Sequence, residues 1–150
     1  MEKSFFSSKE AATLTECTLR QLQYWRENEV VVPIVGATGT GKSIYYSYRE
    51  LIELTSMRYL LFVGLSFDVA RNILRSLKDK VPEYANPDIK ARLMLILDTD
   101  SGILDLVKFD REQAIAFLDN GQPIIPLWLD LIHQKLQQQL SKKDSIMSNK

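Results

Sequence analysis

Three capping boxes in the first fifty residues limit what this chain can fold into more than any other feature. Ser7 with Glu10, Thr18 with Gln21, and Ser47 with Glu50 each set a hydroxyl three residues before an acid or amide. Such a pair satisfies orphan backbone N–H groups at a helix start reciprocally, so it fixes where the helix begins. The first two boxes leave room only for a short helix carrying Ala11, Ala12 and Leu14, then a tight connection at Thr15-Glu16-Cys17. The second helix runs to about Asn28 with Leu22 and Trp25 facing inward, which makes a helix–turn–helix pair. The third carries Leu51, Leu54, Met57, Leu60 and Leu61 from Ser47 to about Val63 and is closed by Gly64. Ser66 then caps a fourth helix bearing Val69, Ile73, Leu74 and Leu77.

The segment between the second and third helices contains Gly36-Ala37-Thr38-Gly39-Thr40-Gly41-Lys42-Ser43, which spells a phosphate-binding P-loop. A P-loop needs a helix opening at its Lys-Ser so that backbone N–H groups and the helix dipole face the phosphates. Here Ile44, Tyr45 and Tyr46 follow, a β-prone triplet, and the helix signal comes about four residues too late. With Val30-Val31-Val32-Pro33-Ile34-Val35 in front, residues 30–46 read as a β-hairpin with a glycine-rich tip. The rival reading is a nucleotide-binding protein using Gly36 to Ser43, with Leu93 to Asp98 posing as a Walker B strand.

Beyond residue 80 the grammar changes. Residues 81–91, with Pro82, Asn86 and Pro87, read as a linker. Residues 92–97 and 103–109 flank Asp98-Thr99-Asp100-Ser101-Gly102 and read as a second hairpin. Asp110 and Gln113 cap a helix ending before Gly121. A last helix follows Pro123 and Pro126 and carries a stripe of Leu127, Leu131, Ile132, Leu136 and Leu140. The expected fold is therefore α+β and mostly helical. It comprises a winged helix-turn-helix domain over 1–80, the linker, a hairpin and two-helix module over 92–141, and a flexible tail over 142–150. The apolar run Gly121 to Leu129 suits a core closure, a dimer interface or a lid over a small ligand.

Charge is balanced, with 19 Lys+Arg against 19 Asp+Glu, so electrostatics alone favour no polyanionic partner. The single cysteine, Cys17, excludes an internal disulfide and any multi-thiolate metal centre. We read it as a small inert side chain in the helix–helix connection. The sole histidine, His133, has no ligand cluster near it in sequence and reads as a surface or interface residue. No nucleophile–base pairing stands out, so we expect neither catalytic residues nor a cofactor or metal. Without a leader pattern or an 18-residue apolar run, a cytoplasmic protein with no membrane contact is expected.

Several spaced segments agree with one known family. Residues 6–14 (FSSKEAATL), 18–25 (TLRQLQYW) and 31–33 resemble the MerR family of bacterial transcription regulators. So do Gly39-Thr40-Gly41-Lys42 leading to Tyr46-Ser47, then Glu50-Leu51, Leu60-Leu61, Gly64-Leu65-Ser66 and Ala70-Arg71. The resemblance covers about residues 5–78. It implies double-stranded DNA as partner, an effect on RNA polymerase access, and an unknown effector or another protein sensed by the C-terminal region. A homodimer on a palindromic promoter site is expected for a separate reason, because a single module of this size reads only a few base pairs. On the second helix Thr18, Arg20, Gln21 and Tyr24 would meet DNA, with Lys42 and Tyr45 of the wing, although an ordinary solvated helix face has the same composition. Leu127, Leu131, Leu136 and Leu140 would form the dimer contact. Two features depart from the family: Gln23 and Trp25 replace its usual arginine and second tyrosine, and prolines and a hairpin occupy the place of its long dimerisation helix. An excisionase-like or antitoxin-like protein, with the C-terminal half as a partner surface, is the remaining alternative.

Overall fold

Helices begin where the capping residues put them. The computed structural model describes residues 4–38 and 41–148, with the side chains of 35–38, 41–43 and 144–148 outside that description. Helix α1 (Ser8–Thr15) starts at Ser7, whose hydroxyl accepts from the Glu10 N–H at 3.1 Å while Glu10 accepts from the Ser7 N–H at 3.0 Å. Glu16, in the left-handed region at φ 61°, ends it. Helix α2 (Leu19–Glu27) follows from the Thr18–Gln21 box. Helix α3 (Tyr48–Phe62) starts differently: Ser47 donates both its N–H (2.9 Å) and its hydroxyl (2.8 Å) to the Glu50 carboxylate. Gly64, at φ 105°, separates α3 from α4 (Phe67–Lys80).

Two three-stranded antiparallel sheets complete the fold. In the first, β1 (Phe5–Ser7) and β2 (Ile34–Thr38) flank β3 (Gly41–Ser47). The expected strand at Val30-Val31 does not form there. Both valines are buried and take part in closing α2, their N–H groups reaching the Trp25 carbonyl at 2.8 and 3.3 Å. In the second sheet, β5 (Leu104–Lys108) and β6 (Ile124–Trp128) flank β4 (Arg92–Leu97). Helix α5 (Arg111–Asp119) joins β5 to β6, and α6 (Leu129–Ser148) ends the described chain. The run 121–129 is thus mainly a strand. Pro126, which cannot donate to a ladder, is tolerated because β6 lies at the sheet edge. The tail expected from residue 142 is helical to Ser148, and Lys143 pairs with Glu10.

Helix α3 is the axis of the molecule. Residues 51–57 are all buried, because α1, α4 and α6 all pack around it. Polar groups on it therefore need internal partners. Thr55 donates to the Leu51 carbonyl at 2.7 Å, and Glu53 accepts from the Tyr84 hydroxyl and lies 3.4 Å from Lys78 Nζ. Burial pushes the Glu53 carboxyl above its usual range, while Tyr84 and Lys78 pull it back. Tyr84 lies in the segment expected to be a linker, yet it is 2% exposed, and Arg49 stacks over its ring at 5.2 Å. One apolar cluster consequently runs from Phe6, Trp25 and Leu54 through Leu95 and Leu106 to Leu136.

His133 occupies the junction and is 3% exposed, which corrects its reading as a surface residue. Its Nε2 lies 2.8 Å from the Tyr84 carbonyl, which only accepts, so Nε2 carries the proton. Nδ1 is then the acceptor for the Tyr48 hydroxyl at 2.6 Å. Burial holds the imidazole pKa below its ordinary value against the Tyr84 carbonyl and Asp130.

Candidate nucleic-acid interface

Leu22 and Trp25 anchor α2, each almost wholly buried in the core. Arg26 adds a tether from the side, donating from Nη1 to the buried Tyr46 hydroxyl at 3.1 Å. With three residues holding one face, the opposite face turns to water: Thr18, Arg20, Gln23, Tyr24 and Glu27 are exposed and Gln21 is half-buried. A short helix held this way presents its N-terminal turn rigidly, which is what reading base edges in a major groove requires.

The proposed contact residues are not equivalent in their local chemistry. The Thr18 hydroxyl accepts from the Gln21 N–H and Gln21 Oε1 accepts from the Thr18 N–H, both at 3.0 Å. Capping therefore occupies the oxygen of Gln21 and leaves its amide NH2 as the part that can donate outward. Arg20 is exposed, and among the described residues it forms no ion pair. Gln23 donates to Glu27 at 3.0 Å and is tied along the helix. Tyr24 packs edge to face on Phe67, with ring centroids 5.0 Å apart.

That last contact brings in residues which the sequence reading of the site left out. Phe67 opens α4, and the Arg71 guanidinium lies 5.5 Å from the centre of its ring while pairing with Asp68 at 3.1 Å. Phe67, at the start of α4, thus adjoins Tyr24 on the outward face of α2, and Arg71 sets a cation against the Phe67 ring. The visible signal was an aromatic and an arginine four residues apart on a helix.

Strands β2 and β3 pair Ile34 with Tyr45, Gly36 with Ser43, Ala37 with Lys42 and Thr38 with Gly41. The P-loop-like residues are therefore strand residues, except Gly39 and Thr40, which lie outside the described part. The next helix starts at Tyr48, so no helix N-terminus faces Lys42 and Ser43. Tyr45 is exposed; the side chain of Lys42 lies outside the description. Cys17 is buried behind this face, and burial pushes its thiol up to about 11, so it stays protonated and unreactive near neutral pH.

The leucine stripe is divided by the fold. Leu127 belongs to β6 rather than to the helix, and it and Leu136 are buried in the chain's own core. Leu140 is partly buried against that core, and Leu131 is 47% exposed. Among the described residues no three His, Cys, Asp or Glu side chains are grouped to hold a metal, and no helix is long and apolar enough to cross a membrane.

A rigidly capped second helix, a short turn behind it and an adjoining antiparallel pair define a helix-turn-helix protein. Residues 6–77 match the family described as MerR HTH family regulatory protein, so this N-terminal part of the chain is a MerR-type helix-turn-helix domain. It is also similar to HTH-type transcriptional regulators, named as uncharacterized, from Mycobacterium bovis and from two strains of Mycobacterium tuberculosis. Each is 30% identical over 116 residues, which cover 76% of this chain and 48% of the relative. The chain therefore spans about half the length of the curated relatives it matches.

Proposed function

We propose that the chain is a sequence-specific double-stranded DNA-binding transcriptional regulator that acts as a homodimer on a palindromic promoter site. The observation that carries this is the outward face of α2, where Arg20 is exposed without an ion pair among the described residues and Tyr24 stands beside it. Arg20 suits bidentate contact to a guanine edge, and the Gln21 NH2 suits an acceptor. The β2–β3 pair serves as the wing, with Lys42 and Tyr45 meeting the phosphate backbone. Arg71, stacked on Phe67, adds a further phosphate contact.

A dimer follows from the size of the reading surface. One short helix spans only a few base pairs, and 19 positive against 19 negative side chains supply little general attraction. Two copies on half-sites one helical turn apart, or a multiple of it, raise both affinity and specificity. The contact is built from the unit over residues 92–140. Since Leu127 and Leu136 serve the chain's own core, we assign the contact to exposed Ile103, Ile115 and Leu118 on that unit. Bending or twisting promoter DNA then alters RNA polymerase access and places part of the specificity in DNA deformability. Such a protein works where the chromosome is, in the cytoplasm of a bacterium.

Selection from a random pool of duplexes at modest salt tests the reading. It predicts an enriched motif with two-fold symmetry. A pool that stays unenriched would contradict it.

A further inference from the structure

A half-open groove of about 470 Å³ lies between the C-terminal half of α3, strand β6 and the first turns of α6. That volume falls in the range of small-molecule sites, roughly 300–1,000 Å³. Tyr59, Phe62, Pro126, Trp128, Leu131 and Ile132 form its walls. The Tyr59 hydroxyl donates to the Pro126 carbonyl and pins the β6 wall to α3. Phe62 is 79% exposed and Leu131 47%, so large apolar surface at this groove is left in water.

The charged residues of the groove meet at Glu16. Lys135 Nζ lies 3.0 Å, and Arg58 Nη1 3.6 Å, from the same carboxylate oxygen, Glu16 Oε2. Arg58 Nε also donates to the Glu16 carbonyl at 2.9 Å. Two cations sharing one carboxylate leave a surplus of positive charge among the lining residues. These pairs are partly exposed and therefore weak, so another anion can join or replace Glu16 at small cost. Glu16 itself occupies the left-handed position that links α1 to α2.

We propose that this groove binds a small amphipathic anion. Its apolar or aromatic body lies against Phe62, Trp128 and Leu131, and its single anionic group is held by Arg58 and Lys135. Occupancy draws both cations away from Glu16 and loosens the turn immediately before Thr18, the cap of α2. That coupling rests on the DNA-binding reading above; the binding site does not.

The test uses 8-anilinonaphthalene-1-sulfonate, an aromatic body with one sulfonate, and its uncharged counterpart N-phenyl-1-naphthylamine, each followed by fluorescence on the whole chain. The proposal expects saturable one-site binding of the sulfonate, at least tenfold tighter than the neutral probe. Lys135→Met weakens the sulfonate about tenfold and leaves the neutral probe unchanged, while Phe62→Ala weakens both. Equal binding of the two probes overturns the proposal, as does indifference to Lys135→Met. Conversion of a dimer to a monomer by Phe62→Ala in light scattering also overturns it, because a second copy then fills the groove. For the coupling, saturating sulfonate weakens binding to a selected duplex at least threefold in the parent chain and less in Lys135→Met. Unchanged duplex affinity with intact one-site binding overturns the coupling alone. Failure to select any duplex counts against the DNA reading and leaves the probe result standing.

Discussion

Replacing Tyr48 by Phe isolates one oxygen at the junction between the two halves of the chain. The Tyr48 hydroxyl donates to His133 Nδ1 at 2.6 Å and accepts from Gln137 Nε2 at 3.2 Å, while the two rings stack with centroids 5.6 Å apart. Phe keeps the stack. Gln137 is exposed and recovers its bond from water, but His133 is 3% exposed and Nδ1 is left without its donor. Stranding one buried acceptor costs about 1–3 kcal/mol. In a chain of 150 residues that is a fall in melting temperature of roughly 4 °C per kcal/mol. Urea unfolding followed by circular dichroism at pH 7.5 measures it.

The pH dependence fixes the mechanism as well as the size. Burial depresses the folded pKa of His133 below its unfolded value of about 6.5, so the neutral ring is the stabilised form. Its contribution is complete above about pH 6.5 and is lost as pH falls toward the folded pKa. Phe at position 48 withdraws an interaction that favours the neutral ring. The deficit of the variant is therefore greatest at pH 7.5 and shrinks as pH falls toward 5.5. Equal stability at pH 7.5, or a deficit that grows on acidification, would refute the assignment of donor and acceptor.

Three further outcomes are expected. Leu136→Ala, at a fully buried position of the shared core, should cost about 2–5 kcal/mol in urea unfolding, and a loss under 1 kcal/mol would contradict the packing described. Light scattering at tens of micromolar should give a dimer that Leu118→Glu converts to a monomer; a monomeric parent chain would count against the assembly. Titration calorimetry with Mg-ATP or Mg-GTP should give no binding heat, because Gly41, Lys42 and Ser43 belong to a strand, and saturable binding abolished by Lys42→Ala would reverse that reading.

What the sequence made legible was mostly local. Ser7, Thr18, Ser47, Ser66 and Asp110 mark helix starts because each cap satisfies its own neighbours within three residues. Leu22 and Trp25 separate the two faces of α2 by helical period alone. The illegible parts depended on distant partners. His133 finds its hydroxyl 85 residues away and Tyr84 its carboxylate 31 residues away, so neither burial leaves a mark in the adjacent sequence. Strand β6 was hidden by Pro126, and Leu127 fell into a helical stripe by spacing although it points into the core from a strand. Strand β1 is three residues long and ends on the cap of α1, so the stronger signal covered it. At the site, Phe67 comes beside Tyr24, with Arg71 against the Phe67 ring, through the packing of α4 on α3.

Binding of a selected duplex by the parent chain, Arg20→Ala and Lys42→Ala, followed by fluorescence anisotropy across a salt series, tests the central claim most directly. Loss of Arg20 should cost about 1–3 kcal/mol and relax the preference at one position of each half-site. Loss of Lys42 should weaken all sequences alike and lower the salt slope by about 1 for each site it contacts. Both variants binding as the parent does, at every salt concentration, would contradict the account.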